Sequence, residues 1–218
     1  MENHNRSKFF YILAASIIFS AVFFPVATDA AIIYESATMG PTSQNEGLYL
    51  GHDQFLGTRF HITEKVQVTS IGGHLEGRGP LFGAIISLSS TTDLPKGSPL
   101  NSSEIVASTV FNVPLPDCDF RTPLSVTLEQ GYYGLIFGSD LLGAPNGHGG
   151  MPYGGQEILP GASYFYWIIL PNSSVGAWYT QTNSRYPRFV VEGTVVPEPA
   201  TLLFIGLGAV MLRRKFKG

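Results

Sequence analysis

TPLSVTLEQGYYGLIFG, residues 122–138, holds the clearest pattern in the chain. Leu124, Val126 and Leu128 alternate with Ser125, Thr127 and Glu129. A period of two places successive side chains on opposite faces of a strand, so this segment predicts a strand with one wet face. After Gln130 and Gly131 the alternation resumes at Tyr133, Leu135 and Phe137. Two alternating segments joined by a short, glycine-containing link predict a β-hairpin.

The pattern extends outward in both directions. Segments 54–62, 66–75, 82–89, 104–112, 163–170, 176–180 and 188–195 are short, apolar and bounded by Gly, Pro, Asn or Ser. Their length and their β-branched or aromatic content predict strands. No segment of the central region sustains a helical period. In 163–170, Phe165, Trp167 and Ile169 alternate with Tyr164, Tyr166 and Ile168, so both faces are apolar or aromatic. That strand is expected to be buried on both sides or covered by a loop. Residues 139–162 contain seven glycines and three prolines and are read as one long loop, functional or mobile. Nine short strands at this spacing predict an all-β, jelly-roll-like β-sandwich.

Composition agrees with an exported β domain. The 218 residues include 25 glycines and only 13% charged side chains. Between residues 31 and 195 stand thirteen acidic and seven basic side chains, a formal charge of −6. No basic patch suits nucleic acid. Cys118 is the only cysteine, so no intrachain disulfide can form. It lies between Asp117 and Asp119, whose charges oppose thiolate formation, and it is read as an inert thiol.

Both ends are hydrophobic. Residues 1–8 carry Arg6 and Lys8, and 9–24 are almost wholly apolar up to Pro25. Thr28-Asp29-Ala30 then places small residues three and one before Ala31. This is the layout of a secretory signal peptide over residues 1–30, with cleavage between Ala30 and Ala31. An uncleaved anchor is the alternative. At the other end, residues 196–218 read VPEPATLLFIGLGAVMLRRKFKG. Pro197, Glu198 and Pro199 form a triplet that disfavours helix. The apolar stretch 200–212 follows, and then a basic stop of Arg213, Arg214 and Lys215, with Lys217 beyond it. Basic residues after an apolar stretch stay on the cytoplasmic side, which places the region upstream of the triplet outside. A helix over 200–212 would be about 20 Å long against a hydrocarbon core of about 30 Å, a short transmembrane segment at best. A plain anchor and a buried core helix are the alternatives.

The order of triplet, apolar stretch and basic end resembles the PEP-CTERM sorting signal of exported proteins in Gram-negative bacteria that make exopolysaccharide. The resemblance covers about a tenth of the chain. It implies recognition of Pro197-Glu198-Pro199 by an exosortase, a membrane-embedded cysteine transpeptidase, and transient residence in the inner membrane. The region 31–195 resembles the extracellular β-sandwich domains catalogued as choice-of-anchor domains. The resemblance rests on the Gly-aromatic lead into 54–62, an Ile-Ser-Leu-Ser strand within 84–90 and the Thr-Asp-Leu-Pro-Lys-Gly loop at 92–97. It also rests on 128–134, LEQGYYG, and on the late Trp178-Tyr179. Those domains have no established activity, so that resemblance implies nothing about chemistry here.

Candidate chemistry is sparse. His52, His61, His74 and His148 lack the spacing of a zinc site and are read as structural. Asp117 and Asp119, with Asp140, form a candidate calcium set without an EF-hand loop. No nucleophile elbow and no phosphate loop occur. A carboxylate pair for glycoside hydrolysis has no sequence signature, because its separation is spatial. Aromatics crowd the last third of the domain. Trp167, Trp178 and Tyr179 are the candidate glycan-binding residues, since exposed Trp and Tyr faces stack on sugar rings; a hydrophobic core is their alternative fate. The expectation is a non-enzymatic exported protein without cofactor or metal. It would be sorted to the cell surface or the exopolysaccharide matrix, with an extracellular polysaccharide as the alternative partner.

Overall fold

A computed structural model describes residues 30–42, 47–113, 115–158, 164–170, 173–181 and 185–197. Residues 1–29 and 198–218, and with them most of the expected signal peptide, the expected membrane stretch and the basic stop, lie outside the described residues. Among the described residues no helix is long and apolar enough to cross a membrane.

Among the described residues twelve strands form two six-stranded antiparallel sheets. The first sheet contains β1 (Ala31–Glu35), β2 (Gly47–Leu50), β4 (Val66–Arg78), β7 (Cys118–Leu128), β9 (His148–Pro152) and β12 (Phe189–Val195). Its organising strand is β4, which pairs with β12, β7 and, at its far end, β9. The second sheet contains β3 (Gln54–Ile62), β5 (Pro80–Leu88), β6 (Ile105–Asn112), β8 (Gly131–Gly138), β10 (Tyr164–Ile169) and β11 (Gly176–Gln181). Its order is β11-β10-β3-β8-β5-β6.

The main core lies between the sheets. Val68, Ile71 and Leu75 of β4 and Leu124 and Leu128 of β7 meet Leu56, Ile85, Leu135 and Phe137 of the second sheet. Phe137 stacks on Phe189 with ring centres 5.7 Å apart and meets Phe111 edge-on at 5.8 Å. Tyr34 of β1 crosses to the second sheet, where its hydroxyl and that of Thr58 lie 2.6 Å apart. Burial pushes the Tyr34 phenol up to about 12.

A second core covers the outer face of the second sheet. Phe55, Phe82, Ala84, Ile86, Ile136, Phe165 and Trp167 point away from the first sheet and are roofed by Leu94, Leu100, Leu141 and Leu142 from two loops. The expectation that 163–170 is buried on both faces, or loop-covered, is therefore met: its odd residues enter this outer core and its even tyrosines face the inner one.

The predicted hairpin over 122–138 is a correction. β7 pairs with β4, whereas β8 pairs with β3 and β5, so the Glu129-Gln130 link crosses from one sheet to the other. The alternation itself is right on β7, where Leu124 and Leu128 are buried and Ser125 and Thr127 exposed. Two strands facing each other across a sandwich both point their apolar residues inward. Two paired strands do the same, so the period cannot tell the arrangements apart.

The long loop is also corrected. Residues 148–152 form β9, which bridges β2 and β4. Its glycines serve close approach rather than flexibility: a Cβ on Gly149 would lie 2.3 Å from the Glu76 carbonyl oxygen.

Candidate functional site

The C-terminal junction is built by β12. Phe189 and Val191 face the main core and Glu192 faces out, while the backbone is held by β1 on one side and β4 on the other. Pairing with β4 continues to Val195 opposite Val66, and the Val196 N–H donates to the Lys65 carbonyl at 2.9 Å. The next residue, Pro197, has no N–H and cannot extend the ladder. It is exposed. The triplet thus begins two residues after the last strand residue, with only Val196 between. Glu198 and Pro199 lie outside the described residues. The ion pair of Lys65 with Glu129, 2.5 Å long, borders this exit.

At the other terminus, Ala30 is exposed and Ala31 opens β1. Ala31 stands opposite Gly193.

The candidate glycan residues do not form one platform, and Trp167 has the core environment that was its alternative fate. Trp167 is 4% exposed and stacks on Phe55 at 5.0 Å inside the outer core. Trp178, its register partner on β11, meets Phe165 edge-on and donates its indole N–H to the carbonyls of Gly97 at 3.1 Å and Pro99 at 2.7 Å. It thereby pins a roofing loop. Only Tyr179 is exposed, and it stacks on Tyr166 at 5.5 Å on the opposite face of the pair. Alternation across β10 and β11 separates the tryptophans from the tyrosines.

On that opposite face lies a groove of about 200 Å³ lined by Leu48, Gln54, Tyr164, Tyr166, Gln181 and Arg185. The Arg185 guanidinium carbon also sits 4.9 Å from the centre of the Tyr153 ring. Sequence reading marked these tyrosines but not the two glutamines and the arginine. Gln54 opens β3, whereas Gln181 ends β11 with Arg185 four residues on, and the two stretches converge only through the β3-β10-β11 order.

The outer face of the first sheet carries an ionic network. Arg121 binds Asp119 at 2.6 Å and Glu192 at 2.8 Å; Arg188 binds Glu35 at 2.5 Å and also Asp119. Ser70 donates to Glu192 at 2.5 Å. Burial alone would push the Glu192 carboxyl up, but the bonds from Ser70 and Arg121 outweigh it and hold it below the usual carboxylate range. These charges tie β1, β12, β4 and β7 together.

Beside this network His74 Nε2 lies 2.6 Å from Asp117 Oδ2, with the side chains 0% and 2% exposed. The other ring nitrogen of His74 is buried without a partner. The pair is 43 residues apart in sequence, which is why spacing could not find it. The candidate calcium set is dispersed: Asp117 faces His74, Asp119 faces two arginines, and Asp140 accepts from the Asn146 N–H in its own loop. Among the described residues no group of three His, Cys, Asp or Glu side chains is placed to hold a metal ion. Cys118 packs against the main core, and burial, with Asp117 and Asp119 adding to it, pushes its thiol up. His52, His61 and His148 are exposed and separate.

Among curated proteins none matches the chain. Residues 195–215 match the family described as the PEP-CTERM protein-sorting motif. That match begins on the last residue of β12 and spans the triplet, the apolar stretch and the basic stop. The chain therefore carries a PEP-CTERM protein-sorting motif, which implies export, processing by an exosortase and sorting to the cell surface.

Proposed function

We propose that this is a non-enzymatic exported protein whose jelly-roll-like sandwich, residues 31–195, is the cargo of its own sorting tail. The signal peptide is removed after Ala30, and the tail holds the chain in the inner membrane while exosortase acts at Pro197-Glu198-Pro199. The sandwich then passes to the surface or the exopolysaccharide matrix of a Gram-negative cell. One observation carries this reading: the PEP-CTERM match starts where the last strand stops. The His74–Asp117 pair is closed from solvent, and arginines occupy Asp119, Glu192 and Glu35. Intact-mass analysis of the released protein is expected to give a chain that starts at Ala31 and lacks the Arg213-Arg214-Lys215 stop. Replacing Pro197, Glu198 and Pro199 with alanine is expected to leave the tail-bearing form in the membrane. Released protein that retains Gly218 would overturn processing and leave a plain anchor.

A second reading, contact with an extracellular polysaccharide, is favoured by the tyrosine groove. Tyr164 and Tyr166 offer aromatic surface, and Gln54, Gln181 and Arg185 offer donors and acceptors for hydroxyls. A Gln181→Ala, Arg185→Ala double variant should bind exopolysaccharide fragments about tenfold more weakly, equivalent to roughly 1.4 kcal/mol, while retaining the folded circular-dichroism spectrum of the natural chain. Equal binding by the variant and the natural chain would remove the groove from consideration.

A further inference from the structure

The two hydrophobic ends of the chain leave the sandwich at the same pole. β1 and β12 are antiparallel neighbours, and Ala31, the first residue of β1, stands opposite Gly193, two residues before the end of β12. The same pole carries the β3–β4 link, since Val195 stands opposite Val66 and Val196 bonds to Lys65. It also carries the β7–β8 link, since Leu128 stands opposite Val66 and Gly131 opposite Ile62. The far pole carries the turn between Arg78 and Pro80, with Asn112 opposite Pro80. At about 3.3 Å per residue, the poles are roughly 25 Å apart along β5 and roughly 40 Å apart along β4.

Chain length then limits how the sandwich stands. Five residue steps separate Val195 from Ala200, where the apolar stretch begins, and a fully extended chain covers at most about 3.6 Å per step. The exit of β12 therefore lies within about 18 Å of the start of that stretch. Phe24, at the end of the N-terminal apolar segment, is seven steps from Ala31, a reach of about 25 Å. Both limits are shorter than β4 is long. A domain whose ends left from opposite poles could not satisfy both tethers at one surface; this one satisfies them without unpairing a strand.

We infer that the pole formed by Ala31, Val196 and the links at Glu64-Lys65 and Glu129-Gln130 is the face that the sandwich presents to the lipid surface, with the Arg78–Pro80 pole pointing away. This rests on the membrane residence of the tail proposed above. The sandwich can consequently complete its fold while either or both ends are still held in the bilayer.

Energy transfer to the bilayer surface tests the orientation. The chain from Ala31 to Gly218, in a Cys118→Ser background, is reconstituted into phosphatidylethanolamine–phosphatidylglycerol vesicles whose headgroups carry a short-range acceptor. A donor is attached at Gln130→Cys or at Asn112→Cys; both positions are exposed, one at each pole. Transfer from position 130 is expected to exceed that from 112 several-fold. A flexible twenty-residue insert between Val196 and Pro197 should bring the two towards equality. Equal transfer without the insert, or stronger transfer from 112, overturns the orientation while leaving membrane anchoring intact. A chain that fails to cosediment with the vesicles overturns the anchoring reading, and the orientation with it.

Discussion

Trp167→Ala is expected to lower the stability of the sandwich by about 3–5 kcal/mol, read as a fall in the urea unfolding midpoint at unchanged slope. The indole lies flat on Phe55 and fills the outer core, and a Cβ at Gly176 would come within 2.2 Å of it, so little backbone can close over the space it leaves. The loss is a cavity cost as well as a transfer cost. Its ring nitrogen is buried without a partner. Trp167→Phe keeps a ring over Phe55 and removes that orphan donor, so it should cost less than roughly half as much. A Trp167→Ala variant within about 0.5 kcal/mol of the natural chain would mean that the outer core does not hold the roof loops. The consequence for ligand work is direct: lost glycan binding in this variant would report unfolding, not a missing platform.

Asp117→Ala should also destabilise the fold, by about 2–3 kcal/mol. It leaves a fully buried imidazole with no partner at either nitrogen, since one already lacks one. The cost is that of stranding a buried polar ring, and it exceeds the net value of the bond itself. Asp117→Asn keeps an acceptor near Nε2 and should cost about 1–2 kcal/mol. Guanidinium titrations of the two variants separate the cases; equal midpoints for the alanine variant and the natural chain would show that water reaches His74 and that the pair is not closed.

Most strands were legible because a half-buried strand writes its period into its own residues. Segment 54–62 was read with its observed limits, and β5, β8, β10, β11 and β12 within two residues at each end. β1, β2 and β9 were missed for physical reasons. Gly47–Leu50 is too short to show a period, and His148–Pro152 is composed of residues that signal turns. The sheet assignment of β7 and β8 was not legible, because side-chain direction records which way is inward and not which strand lies alongside. The sorting motif was fully legible, being local and ordered in sequence. The surroundings of the candidate glycan residues were not legible, because an aromatic strand looks the same whether its rings meet solvent or a second core. That core exists through Leu94, Leu100, Leu141 and Leu142, which come from loops remote from 163–170. The His74–Asp117 pair and the tyrosine groove are products of topology and have no local signature.

The pairing of β1 with β12 also sets an order of events. Among the described residues β1 has β12 as its strand partner, and Ala31 and Gly193 are about 160 residues apart, a separation that makes their meeting a late step of folding. During export the N-terminal strand emerges first and must wait, its edge unpaired, for the final strand to clear the membrane. β4, too, keeps one side open until β12 arrives. The first sheet is thus completed by the segment that leads into the sorting motif, so the sheet closes only when the last strand before that motif has been exported.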